Sequence, residues 1–373
     1  MIRFHFIAIT IVGASAFSPR SLSATEATQL QIINGSKEVI DVFWQASDSK
    51  RVPNCSIEPG KSESIHTTLG NRFVVVGRED KVERTVTYKV PIQGFRFDPT
   101  GKDGIPVYYT QRQRVRDFPI VASAKVNPYA LKEAAYICGL MLAKRPDVLD
   151  AMTQSGAQLA ILAHNEFTCD LPECASYANE LVPDFEAFPA RDFWDARARG
   201  TGGSETDPFA TCAEENLLSY PGDPYSSENI LIHEFAHSIH LRGLNNVDPT
   251  FDVRLREAYD AAMKAGLWKT KYASVNHYEY FAEGVQSWFD NNREPDHDHN
   301  HVNTRTELIE YDPALAALCR EVFADTEVRY TKAPTRLIDH MAGYDPATAP
   351  LFVWPERLNA VKAAIRANAK KRK

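Results

Sequence analysis

Residues 233–237 read HEFAH, two histidines four apart with a glutamate directly after the first. On an α-helix, residues four apart share one face, so His233 and His237 can offer two ring nitrogens to one cation at bonds of about 2.0–2.1 Å. Glu234 is turned about 100° away on the same wheel, which aims its carboxylate at a water beside the ion instead of at the ion. His240 falls on the histidine face but about 10 Å further along the axis from His233, too far to join the same ion. It is expected to be a structural or supporting histidine. Ser238, Ile239 and His240 continue the helix where a glycine turn would otherwise lead to a third histidine ligand, so that arrangement is excluded.

A catalytic zinc site takes three protein ligands and keeps one position open. The missing ligand is then a carboxylate from another helix, and EYFAE at residues 279–283 supplies two, Glu279 and Glu283, again four apart. Tyr280, Phe281, Trp288 and Phe289 surround them, which argues against two solvated glutamates. One can bind the metal while the other hydrogen-bonds a ligand imidazole. Spacing alone does not say which.

The stretch YASVNHYEYFAE at residues 272–283, taken with HEFAH, resembles the catalytic domain of the anthrax lethal factor family of gluzincins, which includes the Pro-Pro endopeptidases. The resemblance covers roughly residues 210–290. It implies that His233, His237 and Glu279 bind Zn2+, that Glu283 lies behind them, and that Tyr272 stabilises the oxyanion of the tetrahedral intermediate.

These residues need a scaffold. Between residues 30 and 90, short alternating runs such as IDVFW and RFVVV are broken by Asn34-Gly35, Pro59-Gly60 and Gly70-Asn71, the pattern of an antiparallel sheet. Residues 91–106 read as a linker. Beyond it, Asn127 and Pro128 open an amphipathic helix. AQLAILA (157–163) suits a buried strand, and TCAEENLLSY (211–220) suits a second. Helices are expected over residues 227–241, capped by Ser226 or Ser227 and stopped by Gly243, over 249–265, and over 275–290. Asp312-Pro313 and Pro355 mark later helix starts. The chain is therefore read as α+β. A small antiparallel β-sandwich at residues 28–92 precedes a zincin-like metallopeptidase domain at 105–373, with a twisted sheet, active-site helices and a helical C-terminal part.

Residues 40–76 resemble the β domain of the von Hippel–Lindau protein. That likeness places Trp44 and Thr67 at its hydroxyproline pocket, but Asn54, Asn71 and Phe73 replace the pocket's tyrosine, histidine and second tryptophan. DHDHNH at residues 296–301 brings His297, His299 and His301 to alternate positions, suiting a second metal, a cleft wall or a polar loop.

The whole chain has 373 residues, 44% hydrophobic and 24% charged, with a net charge of −7, the balance of a globular protein of about two domains. No broad basic surface exists to hold nucleic acid. Arg3, an apolar run over residues 4–17 and small residues up to Ala24 read as a signal peptide at residues 1–24. The mature protein is thus expected to be secreted or periplasmic, without stable membrane insertion. Export permits disulfides among the six cysteines, of which Cys169 and Cys174 are the best local pair and Cys138 suits a buried thiol. The combined expectation is an exported zinc-dependent metallopeptidase acting on peptide or protein, with Glu234 as general base. The alternatives are a zinc-containing binding protein that docks partners through its sandwich, and a zinc amidohydrolase acting on a non-peptide substrate. Glu234 has no task in holding the metal, and its presence weighs against the first.

Overall fold

The computed structural model describes residues 29–101 and 104–371; the expected signal segment, residues 1–24, lies outside them. The fold is mixed α+β. Among the described residues its N-terminal part has seven strands: β1 (Gln29–Asn34), β2 (Ile40–Ser47), β3 (Lys50–Ile57), β4 (Ser62–His66), β5 (Arg72–Gly77), β6 (Glu83–Thr87) and β7 (Ile92–Phe97). They form two sheets, in the orders β4-β1-β7 and β3-β2-β5-β6. Alternate residues point inward, as period-two strands require. Leu30, Ile32, Ile40, Val42, Phe73, Val75 and Phe97 meet in one apolar cluster between the sheets.

The chain departs from the expected pattern at β7. Residues 92–97 fall in the expected linker, yet they pair with β1, and the two run parallel, so this part is not wholly antiparallel. Pro91 and Gly94 disguise the strand: Pro91 O accepts from Gln29 N–H and Tyr88 Oη–H within the N-terminal part, while Gly94 serves a seam with the rest of the molecule. Gly94 N–H donates to Ser155 O at 2.9 Å. Ile92 N–H donates to Asn246 Oδ1 at 2.7 Å, and Asn246 Nδ2 donates back to Ile92 O at 3.0 Å.

The remainder is built on a second four-stranded sheet, ordered β11-β10-β9-β8 from β8 (Gln111–Val115), β9 (Phe118–Ala122), β10 (Gln158–Leu162) and β11 (Phe209–Ala213). β9, β10 and β11 are parallel, and β8 returns as a hairpin. β8 (QRQRV) lacks apolar alternation because it is an edge strand, which is why composition hid it. Around the sheet pack α1 (Pro128–Met141), α2 (Pro146–Gln154), α3 (Ala190–Arg197), α4 (Glu214–Leu217), α5 (Ile230–Ser238), α6 (Asn245–Val247), α7 (Phe251–Lys264), α8 (His277–Trp288), α9 (Arg305–Tyr311), α10 (Pro313–Phe323) and α11 (Asn359–Lys371). One core joins Ile120 and Ile161 of the sheet to Ile137, Phe235, Leu255, Phe281 and Leu315 of the helices. Each such side chain contributes about 1.5–3 kcal/mol by burial. No helix among the described residues is long and apolar enough to cross a membrane.

Two expected elements change at the centre of the molecule. The strand expected over residues 211–220 ends at Ala213, and Glu214–Leu217 is a helical turn. Buried carboxylates turn the chain inward there: Glu214 accepts from Asn127 N–H and His164 N–H, and Glu215 from Arg199. The helix expected over 227–241 starts at Ile230, where Asn216 and Asn291 side chains accept the Ile230 and Asn229 N–H groups, so neither serine caps it. It also does not stop at Gly243. The chain continues through a π-helical segment, Ile239–Leu244, into α6. Gly243 there serves contact, since a Cβ would lie 2.6 Å from Val148 Cγ1 of α2.

Candidate metal centre

All nine residues of α5 are buried, so its histidines face protein instead of solvent. α8 packs beside it, started by Asn276, whose Oδ1 accepts from Tyr278 and Glu279 N–H at 2.9 Å each. That cap sets Glu279 in the first turn, facing α5. The three donor atoms then form a near-equilateral triangle. His233 Nε2 is 3.2 Å from His237 Nε2 and 3.0 Å from Glu279 Oε2, and His237 Nε2 is 3.3 Å from Glu279 Oε2. Tetrahedral bonds of about 2.0–2.1 Å space ligand atoms ~3.3 Å apart, so one zinc-sized ion fits the three. Among the described residues this is the group of three that can hold a metal.

The histidine tautomer follows from the surroundings. Gln286 Nε2 donates to the Glu228 carboxylate at 2.8 Å, which fixes the amide so that its Oε1 faces His233 Nδ1 at 2.8 Å. His233 must therefore carry its proton on Nδ1, leaving the Nε2 lone pair for the ion. Glu283, expected to hold a ligand imidazole directly, is 3.6 Å from the same Nδ1. Gln286 makes the short bond and Glu283 stands behind it.

Electrostatics separate the Glu279 carboxylate from that of Glu234. Burial opposes the charged form of Glu279, but the neighbouring His237 and His233 outweigh it and hold the group below the usual carboxylate range. For Glu234 burial dominates and raises the carboxyl, only partly offset by the two histidines. A carboxylate raised in this way is a better proton acceptor than a solvated one. Tyr272 sits in a short 3-10 turn, Tyr272–Ser274, with its ring centroid 6.0 Å from that of His233. Burial and the charges of Glu279 and Glu234 push its phenol well above the ordinary value, so it stays protonated and able to donate.

A cleft of about 1230 Å³ reaches this centre, lined by Glu234, His237, Glu279, Trp194 and Arg197, and from the N-terminal part by Gly60 and Lys61 of the β3–β4 turn and by Arg96 of β7. Arg197 ends α3, and burial disfavours its charged form, an effect that the nearby Glu234 and Glu279 carboxylates only partly offset. Sequence reading passed over this residue. It also passed over ARGTGGS at residues 198–204, where three glycines in four positions signal a close backbone approach. Thr201 bridges the outer edge of β11: Thr201 N–H donates to Thr211 O at 3.1 Å, and Thr211 N–H donates to Thr201 O at 2.8 Å. A Cβ on Gly202 would lie 2.6 Å from His237 Cβ, and one on Gly200 would lie 3.2 Å from Glu234 Cγ. The backbone edge beside the site is therefore this glycine segment, and β11 is covered by it.

The remaining histidines go elsewhere. His240 is fully buried and bonds Asp252 Oδ1 at 3.1 Å, which His277 Nε2 also approaches at 3.2 Å. His299 is buried against Asp296 and Glu283, while His297 and His301 are exposed, so the three do not converge on a second ion. All six cysteines are free, including Cys169 and Cys174. Cys169 Sγ points to Arg191 O at 4.0 Å, whereas Cys174 packs with Tyr109 and Leu171. In the N-terminal strands Trp44 is exposed and lies opposite Phe73, which is core, and Thr67 Oγ1 accepts from Asn71 Nδ2 at 2.9 Å.

No known protein-family model matches the chain, and no curated protein is significantly similar to it.

Proposed function

We propose that this chain is a zinc-dependent metallopeptidase of the gluzincin kind, with a zincin-like catalytic domain behind an N-terminal β-sandwich. The observation that carries the proposal is the triangle of His233, His237 and Glu279 donor atoms with Glu234, a carboxylate raised by burial, on the next position of the same helix. A bound Zn2+ would supply Lewis acidity, making water nucleophilic near neutral pH and polarising the scissile carbonyl. Glu234 takes the proton of the attacking water and passes it to the leaving amine. Tyr272 donates its phenolic hydrogen to the oxygen on which charge develops. Gln286 keeps the His233 lone pair directed inward throughout.

The substrate that suits the cleft is an extended polypeptide. Residues 200–203 offer a backbone edge beside Glu234 and His237, and an extended chain can add to such an edge through main-chain hydrogen bonds. With its N-terminal segment acting as a signal peptide, the enzyme would work outside the cytoplasm.

The test is metal content and turnover together. Purified protein should contain about one zinc per chain and cleave members of a diverse peptide mixture, with activity abolished by a chelator and restored by zinc. Glu279→Ala should empty the site, while Glu283→Ala should retain most of the metal, because only Glu279 is a direct ligand. Protein without stoichiometric metal, or equal zinc loss in both variants, would overturn the ligand assignment. Loaded protein that leaves every peptide intact would overturn the peptidase reading.

A further inference from the structure

The histidine-bearing loop at residues 296–301 plays no part in the mechanism above, yet it touches both halves of it. From His233 Nδ1 a chain of polar contacts runs through Gln286 and Glu228 to Arg293, whose Nε is 2.5 Å from Glu228 Oε1. Arg293 NH1 lies 3.5 Å from Asp296, Asp296 Oδ1 lies 2.9 Å from His299 Nδ1, and His299 Nε2 lies 3.5 Å from Glu283 Oε2. Glu283 returns to His233 Nδ1 at 3.6 Å. The contacts close into a ring whose members, apart from the half-buried Asp296, are at most 9% exposed.

The same loop holds the turn that carries the phenol. Tyr272 N–H donates to Asp298 O at 2.7 Å, and Lys271 Nζ donates to Asp296 O at 2.9 Å. Asp296 Oδ1 in turn accepts from the Asp298 and His299 N–H groups, so the backbone that receives Tyr272 is shaped by the residue His299 binds. His299 is thus the strut between this loop and α8, one helical turn beyond Glu279.

We propose that the loop at residues 296–301 sets the position of Tyr272 relative to the metal ligands, and that His299 is its positioning residue. His299 touches neither ion nor substrate; it acts through Glu283 on His233 and through the loop on Tyr272. Buried polar networks of this kind are stiff when every member is satisfied and lose definition when one is removed. A misplacement of about 1 Å in a catalytic group costs on the order of 10² in rate, and loss of an outer-shell partner costs about 10–100-fold in metal affinity.

The inference rests on the metal centre proposed above, and its test includes readouts that need no peptidase activity. The variants are His299→Ala, His299→Gln, which retains an amide donor toward Glu283, and His297→Ala, an exposed neighbour in the same loop. Hydrogen exchange of the peptide containing Tyr272 should speed up in His299→Ala and stay at the parental rate in His297→Ala. Zinc transfer to a colorimetric chelator should be about 10–100-fold faster in His299→Ala and partly restored in His299→Gln. On a cleaved peptide with zinc held in excess, kcat should fall with KM nearly constant, and Tyr272→Phe/His299→Ala should be scarcely slower than Tyr272→Phe alone, because with the metal site filled both changes remove one contribution. Parental exchange and zinc transfer in His299→Ala would overturn the proposal. So would fully additive losses in the double variant. If the protein binds zinc but cleaves nothing, the exchange and zinc readings still decide this question, and only the peptidase reading falls.

Discussion

Glu234 and His233 are adjacent in sequence yet take different duties in the proposed reaction, and the difference lies in where the helix points them. Glu234→Gln keeps the shape and removes the proton acceptor. Zinc content and melting temperature should be unchanged while kcat falls by on the order of 10²–10⁴, measured on any peptide the parent cleaves. Tyr272→Phe deletes only the donor. It should lower kcat by about 10²–10³ with little change in KM, since the hydrogen bond strengthens as charge develops. Retention of full kcat would return Tyr272 to a packing role. That His233, His237 and Glu279 would come together was legible in the sequence, because the spacing of four in HEFAH carries its geometry within one helix and Glu279 lies in a recognisable segment. Gln286 was not legible. Its role depends on Glu228, a residue 58 positions away that fixes which way its amide points.

Among the elements, the helix signals read best where the cap is local: Asn127 accepts from the second following N–H as a cap should. They read worst where distant side chains do the capping, as Asn216 and Asn291 do for α5. The glycine segment at residues 200–203 was invisible to periodicity because it is held by a single bridge to β11 rather than a ladder. Its glycines make a specific outcome checkable. Gly202→Ala brings a methyl against the His237 ring, so either the segment or the ligand must move. Bound zinc should fall well below one per chain at limiting metal, with a smaller loss of thermal stability than of metal affinity. Full occupancy and full turnover in this variant would mean that the segment has slack and does not define the edge of the cleft.

For the whole molecule, the instructive miss is β7. A strand that completes the N-terminal sheets also bonds to Ser155 and Asn246 of the larger part, so residues chosen for the seam obscured the alternation that marks a strand. Asn246 satisfies both the N–H and the C=O of Ile92 from one side chain. Asn246→Ala leaves two partly buried backbone groups unpaired, at about 1–3 kcal/mol for a lost buried partner. The expected result is earlier unfolding of the N-terminal strands in urea and faster proteolysis near residues 98–104, with α8 still protected from exchange. An unchanged urea midpoint would show that the seam is held by other contacts.

The free cysteines give the molecule a built-in clock. Burial raises the thiols of Cys138, Cys212 and Cys319, the last beside α8, and raises Cys55 in the N-terminal strands as well. Thiolate, the species that alkylating reagents attack, is therefore scarce while the fold is closed. Labelling of Cys212 in β11 and of Cys319 in α10, followed separately by mass, becomes a record of how often the sheet and the helices beside it open, written without adding a probe.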